Sequence, residues 1–203
     1  MRCALREILP HLGRKRDDDP IQKLEQNLIG RKIPGFFPTP RTVISRMLEL
    51  AGIEPGQRVL EPSAGKGDIL DMLRQHHPDA KLHGIECNAT LMDILTAKDH
   101  DVEQADFLEH LAEYDVLIMN PPFENGQEIE HVQHGFDRLA DGGRLVSVMS
   151  AGPFFRSDRK AEAFRTWLED LDHEIEDLPD DAFQGVEAFR QTGVHTKLLT
   201  ITK

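Results

Sequence analysis

Tyr114-Asp115-Val116-Leu117-Ile118-Met119-Asn120-Pro121-Pro122-Phe123 runs an apolar segment straight into two consecutive prolines. A short continuous apolar run bounded by turn residues suits a strand covered on both faces. Neither proline can donate to a sheet ladder, so the strand stops at Asn120. The proline that follows also holds Asn120 in an extended backbone. Asn120 therefore sits at the carboxyl end of a buried strand, where open α/β sheets place their ligands. An Asn side-chain carbonyl and a fixed main-chain carbonyl can both accept hydrogen bonds from one exocyclic NH2 group. Phe123 offers a flat face for a base. A Pro-rich loop without such a duty is the competing reading of the tetrapeptide alone.

Outward from this strand, apolar segments alternate with amphipathic ones. Residues 58–60, 81–86, 102–105, 116–119 and 144–149 read as short strands. Residues 69–75, 90–97, 129–139 and 159–171 carry apolar side chains at helical spacing, the last around Phe164, Trp167 and Leu168. This alternation predicts a parallel, doubly wound sheet. Two further strands, 173–178 and 195–202, have no helical segment between them and are expected to pair antiparallel. Ahead of the first strand, 21–29 has helical spacing and Gly30 ends it. Thr39 is expected to cap the next helix, with Pro40 at its first position. Val43, Ile44, Met47, Leu48 and Ala51 then form its apolar face.

A chain of 203 residues with 39% hydrophobic composition suits one domain with a full core. No apolar run approaches the roughly 20 residues of a membrane span, and no signal-peptide core opens the chain. Cys3 and Cys87 make neither a metal-ligand spacing nor a disulfide framework, so a reducing cytoplasm is expected. The net charge of −12 argues against polyanions, but its distribution matters. Ten Lys/Arg against six Asp/Glu give the first 50 residues +4 and leave −16 on the rest. Residues 1–20 read as a basic arm, and 21–203 as one domain with N-terminal helices. The arm suits either a polyanion site or a solvated tail.

Three further strand ends carry candidate chemistry. Glu61-Pro62-Ser63-Ala64-Gly65-Lys66-Gly67-Asp68 is a Gly-rich turn from strand to helix, which lets a ligand approach the backbone closely. It lacks both the Walker and the dinucleotide spacing, which favours a ligand without a pyrophosphate. Glu86 lies 25 residues after Glu61, at the end of the second strand, placed for a ribose diol. Asp106-Phe107 closes the third strand. Asp106 suits an adenine amino group or, equally, a helix N-cap. His76-His77 and His131/His134 raise metal binding, but solvated helix faces commonly look like this and no metal is expected.

These elements resemble the class I S-adenosylmethionine-dependent methyltransferases. Among those they resemble the DNA adenine-N6 enzymes of gamma-type motif order. Phe37-Pro38-Thr39-Pro40 is similar to that family's F-x-T-P segment, and Asn120-Pro121-Pro122-Phe123 to its catalytic motif. The resemblance implies a Rossmann-like sheet of order 3-2-1-4-5-7-6 with strand seven antiparallel. It implies S-adenosylmethionine as cofactor. Thr39, flanked by Phe37 and Pro40, would take the methionyl carboxylate. The loop opened by Glu61 would line the methionine through Ala64, Gly65 and Gly67. Glu86, with Cys87 beside it, would hold the ribose, and Asp106 and Phe107 the adenine. Asn120 would face both reactants and, with the Pro121 carbonyl, hold the target NH2. Phe183 falls where the family places an aromatic that stacks on a flipped base.

The family's long members carry a separate target-recognition domain, and no such segment is expected here. The loops 124–130, 151–160 and 179–194 are left for substrate, with Arg156, Arg159 and Lys160 in the second and Phe183, Phe189 and Arg190 in the third. Phe154 and Phe155 are expected in the core. DNA is favoured over RNA as partner, with a second protein supplying target specificity. An rRNA base or a glutamine amide remains as an alternative acceptor. A cofactor-binding or anti-restriction module is the non-enzyme alternative.

Overall fold

The computed structural model describes residues 20–28, 33–183 and 195–203. The chain divides into two compact units, Met1–Lys32 and Ile33–Lys203. In the first, α1 is Pro20–Gln26, shorter than the expected 21–29, whose end and Gly30 cap lie outside the described residues. The arm 1–19 lies outside them too.

The second unit opens with α2 (Arg41–Ala51) and proceeds through β1 (Arg58–Glu61), α3 (Asp68–His76), β2 (Lys81–Ile85), α4 (Ala89–Ala97) and β3 (Val102–Glu103). It continues with β4 (Tyr114–Met119), α5 (Gln127–Asp137), β5 (Leu139–Ser150), α6 (Arg159–Glu169), β6 (Asp172–Asp177) and β7 (Thr196–Thr202). Seven strands form one sheet in the order β3-β2-β1-β4-β5-β7-β6. The first five pair in parallel, and β7 runs antiparallel to both β5 and β6.

Alternation along the strands sorts the core onto the two faces of the sheet, because successive side chains point opposite ways. Val59, Val116, Ile118, Val146 and Val148 join one apolar cluster with α2 and α3. Leu60, Leu117, Met119, Leu145 and Met149 join the other with α5 and α6. Being covered on both faces is why these strands read as continuous apolar runs.

Several boundaries depart from expectation. Thr39 caps nothing: Pro40 is the N-cap of α2, and no side chain bonds there. The third strand stops at Glu103, and Asp106 instead caps a 3-10 turn, Phe107–Glu109, by accepting from the Leu108 N–H at 2.9 Å. The strand expected over 144–149 starts at Leu139, because Gly142, at φ +76°, lets the chain turn within it. Among the described residues no helix is long and apolar enough to cross a membrane.

Candidate active site

Strand order reverses between β1 and β4, since β2 lies on one side of β1 and β5 beyond β4. A cleft opens outside the carboxyl ends at that switch point, as the rule for open sheets requires. Its walls come from the turn after β1, from Glu86 to Asn88, from Ala105 to Phe107, from Asn120 and Pro122, and from the segment 33–39. The cleft is open to solvent on one side and holds about 170 Å³ of accessible space. The four strand-end elements thus converge, together with Thr39.

Gly65 has φ +57°, and a Cβ there would lie 2.8 Å from the Phe36 ring. The Gly-rich turn thereby packs against the 33–39 segment. The Gly65 N–H donates to Glu86 Oε2 at 2.8 Å, and the Asn88 N–H donates to Oε1 at 2.8 Å. Glu86 thus ties the turn after β1 to the turn after β2. A carboxylate has about four lone-pair sites, so acceptor capacity remains for a diol. Burial pushes the Glu86 carboxyl up, against the pull of the Asn88 and Gly65 amides. Cys87 is exposed on the cleft rim, and partial desolvation, with the charge of Glu86 beside it, raises the thiol pKa.

Glu61 is only 2% exposed and accepts from the Leu70 N–H at 3.1 Å. Burial, reinforced by the charge of Asp68, holds its carboxyl well above the ordinary value of 4.5. The folded protein therefore binds this proton more tightly than the unfolded chain. Stability from Glu61 is present below pH 4.5 and is lost as pH rises toward the folded pKa. Glu61→Gln keeps an acceptor for Leu70 without the ionisation cost. It should raise Tm at pH 7 by about 2–4 °C in calorimetry and flatten the decline above pH ~4.5. A lower Tm at pH 7 would contradict this reading.

Asn120 is oriented by contacts distant in sequence. Its Nδ2 donates to the Phe37 carbonyl at 3.0 Å and to Thr39 Oγ1 at 3.0 Å. Turning the amide over would set Oδ1 against the Phe37 carbonyl, acceptor against acceptor, so the orientation is determined. Both amide protons are used, and Oδ1 accepts from no donor among the described residues. Thr39 keeps its own hydroxyl proton to donate. Gly35, at φ +70°, brings the segment over the tetrapeptide: a Cβ there would sit 3.0 Å from Pro122 Cβ. Pro121 is buried, and Phe123 packs partly against the core.

Other candidates move. Phe183, at 8% exposure, lies within the core cluster. Phe155, expected inside, is 71% exposed, whereas Phe154 packs edge-on against Phe164 at 6.1 Å. Arg156 pairs with Asp158, and Lys160 with Glu130. Both lie close to Gly126, in the loop that follows the tetrapeptide. Phe189 and Arg190 lie outside the described residues. His131 does not belong to a solvated face: it is 8% exposed and lines the cleft. The spacing of α5 could have shown this, since Glu128, Ile129, Val132 and Gly135 are buried with it.

Residues 42–163 match the methyltransferase small domain family. The chain is 31% identical over 97 residues to the modification methylase CviBIII of Paramecium bursaria Chlorella virus NC1A, covering 44% of this chain and 26% of that protein. It is 23% identical over a 230-residue alignment to the type I restriction enzyme EcoEI methylase subunit of Escherichia coli, covering 91% of this chain and 46% of that subunit. The chain thus spans less than half the length of these curated relatives. In fold it is similar to a type I restriction-modification system methyltransferase subunit from Streptococcus thermophilus, with TM-score 0.71, 18% identity, and 90% of this chain and 48% of that chain covered.

Proposed function

The chain belongs to the methyltransferase small domain family, and from that premise we propose that it methylates an exocyclic amino group, adenine N6 in DNA, using S-adenosylmethionine. The observation that carries this reading is Asn120, its amide protons tied to Phe37 and Thr39 and its Oδ1 left as an acceptor at the cleft. The residues fit the cofactor: close-approach glycine backbone, a buried carboxylate for a diol, and an apolar wall at Phe107. S-adenosylmethionine supplies, when bound, an electrophilic methyl group on a sulfonium sulfur.

The chain's own residues prepare the nucleophile. Asn120 Oδ1 and the Pro121 carbonyl accept hydrogen bonds from the two N–H groups of the target NH2. Accepting both draws the nitrogen toward tetrahedral geometry and localises its lone pair. Phe123 provides a ring for the base. Rigid prolines and the tethered amide hold the acceptors in place before substrate arrives, so that alignment contributes much of the rate. An amine in a duplex must leave the stack to reach such a site.

The DNA acceptor is supported by the relatives' names, a modification methylase and a restriction-enzyme methylase subunit, and by the rim. Arg156, Arg159 and Lys160 concentrate positive charge beside exposed Phe155 on an otherwise acidic chain. The ion pairs of Arg156 and Lys160 are surface pairs, individually weak and exchangeable for phosphate. The basic arm 1–19 is proposed to add to this grip, and a partner subunit to supply target specificity.

Duplex affinity should fall steeply with salt, because each Lys/Arg–phosphate contact releases counterions. Replacing Arg156 and Lys160 together by Ala should lower the slope of log affinity against log salt by about 2. A slope unchanged in titrations at several salt concentrations would place the grip elsewhere. The proposal as a whole is tested by tritiated methyl transfer to DNA, RNA and glutamine-containing peptides side by side. Label in DNA supports it. Label confined to RNA or peptide would move the same chemistry to the alternative acceptor.

A further inference from the structure

The corner of the cleft at Asp106 and Phe107 holds an acceptor that none of the strand ends supplies. His131, on α5, lines the cleft there and stacks obliquely on Phe107, with ring centroids 5.8 Å apart. Its Nδ1 lies 2.9 Å from the Gln127 carbonyl. A carbonyl only accepts, so Nδ1 carries the proton and the neutral ring presents a bare lone pair at Nε2. Nε2 has no partner among the described residues, and it is not among the buried polar atoms left without one. It therefore reaches open space, and the space that His131 lines is the cleft. Burial lowers the His131 pKa, which keeps Nε2 unprotonated near neutral pH. The charged or titratable groups around the ring are Asp106, from the turn after β3, and Glu130 and His134 on its own helix. His134 is itself engaged with the His110 carbonyl.

An exocyclic amine has two N–H donors and calls for two acceptors. Asp106 spends one carboxylate oxygen capping the 3-10 turn and has the other left to offer. We propose that His131 is a specificity-determining residue for the cofactor, accepting through Nε2 one proton of the adenine amino group while Asp106 accepts the second. This rests on the cofactor reading above and is independent of what receives the methyl group. It makes the site selective for a 6-amino purine, because a 6-oxo purine would set its acceptor against both Nε2 and the carboxylate.

The probes are S-adenosylhomocysteine and its inosyl counterpart, measured by calorimetry on the full chain without methyl acceptor. The unaltered protein should bind the adenosyl form at least about tenfold more tightly, the worth of one well-made buried hydrogen bond. His131→Phe keeps a ring against Phe107 and the Asp106 acceptor, and should cut that preference by about threefold to tenfold. His131→Gln, which restores an acceptor, should recover part of it. In the unaltered protein labelled with nitrogen-15, the His131 Nε2 resonance should move to lower frequency on adding the adenosyl form and not the inosyl form. A full preference retained by His131→Phe, or an Nε2 resonance indifferent to the adenosyl form, would overturn the proposal and leave the cofactor reading standing. Failure of the unaltered protein to bind S-adenosylhomocysteine at all would remove both.

Discussion

Asn120→Ala should lower methyl transfer by about a thousandfold or more, the effect of removing a preorganised group aimed at the reacting centre. Cofactor affinity should change by less than about tenfold, since one neutral hydrogen bond is worth about 0.5–1.5 kcal/mol. The substitution removes Oδ1, the acceptor proposed for the target amine. It also frees Phe37 and Thr39 from their bonds to Nδ2. The first loss falls on the chemical step, the second on the mouth of the cleft. Single-turnover transfer with saturating cofactor, read beside calorimetry of the same variant, separates them. A rate within tenfold of the unaltered protein's would deny Asn120 its role.

Glu86→Ala should weaken cofactor binding by roughly 1–3 kcal/mol, about fivefold to more than a hundredfold in affinity. The carboxylate has a double duty. It is the acceptor proposed for the ribose hydroxyls, and it already holds the Gly65 and Asn88 amides at 2.8 Å each. Alanine leaves both N–H groups unpaired in a buried setting and loosens the Gly-rich turn. Glu86→Gln keeps one acceptor oxygen and should fall between alanine and the unaltered protein. Unchanged affinity in a folded Glu86→Ala protein, by calorimetry with S-adenosylhomocysteine, would remove Glu86 from the site.

The sheet was legible in the sequence because burial on both faces writes itself as short apolar runs, and the prolines after Met119 mark where one of them stops. The polar residues at the strand ends were legible for a related reason. A parallel sheet brings every strand's carboxyl end to one rim, so Glu61, Glu86, Asp106 and Asn120 needed only the strand assignment to be gathered. What was not legible depends on contacts across the chain. Asn120 is oriented by Phe37 and Thr39, which lie 83 and 81 residues away. Thr39 looked like a cap because caps are recognised from local pattern alone, and tertiary bonding took its hydroxyl elsewhere. Asp106 fits both a ligand site and a cap, and with β3 ending at Glu103 one of its carboxylate oxygens caps the 3-10 turn. Phe155 and Phe183 exchange the places expected of them, since an aromatic in a loop carries no periodicity to say which way it points. His131 was obscured by His134: a pair of histidines three apart suggests an exposed face, although the apolar neighbours of His131 place it inside.

The central claim is that Asn120 presents an exocyclic amine, that of adenine in DNA, for methylation. The most direct test incubates the protein with tritiated S-adenosylmethionine and duplex DNA, digests the DNA to nucleosides and separates them. Label should appear as N6-methyldeoxyadenosine with the unaltered protein and be absent with Asn120→Ala. Label on a ring carbon or on a different base, or equal label from both proteins, would contradict the account.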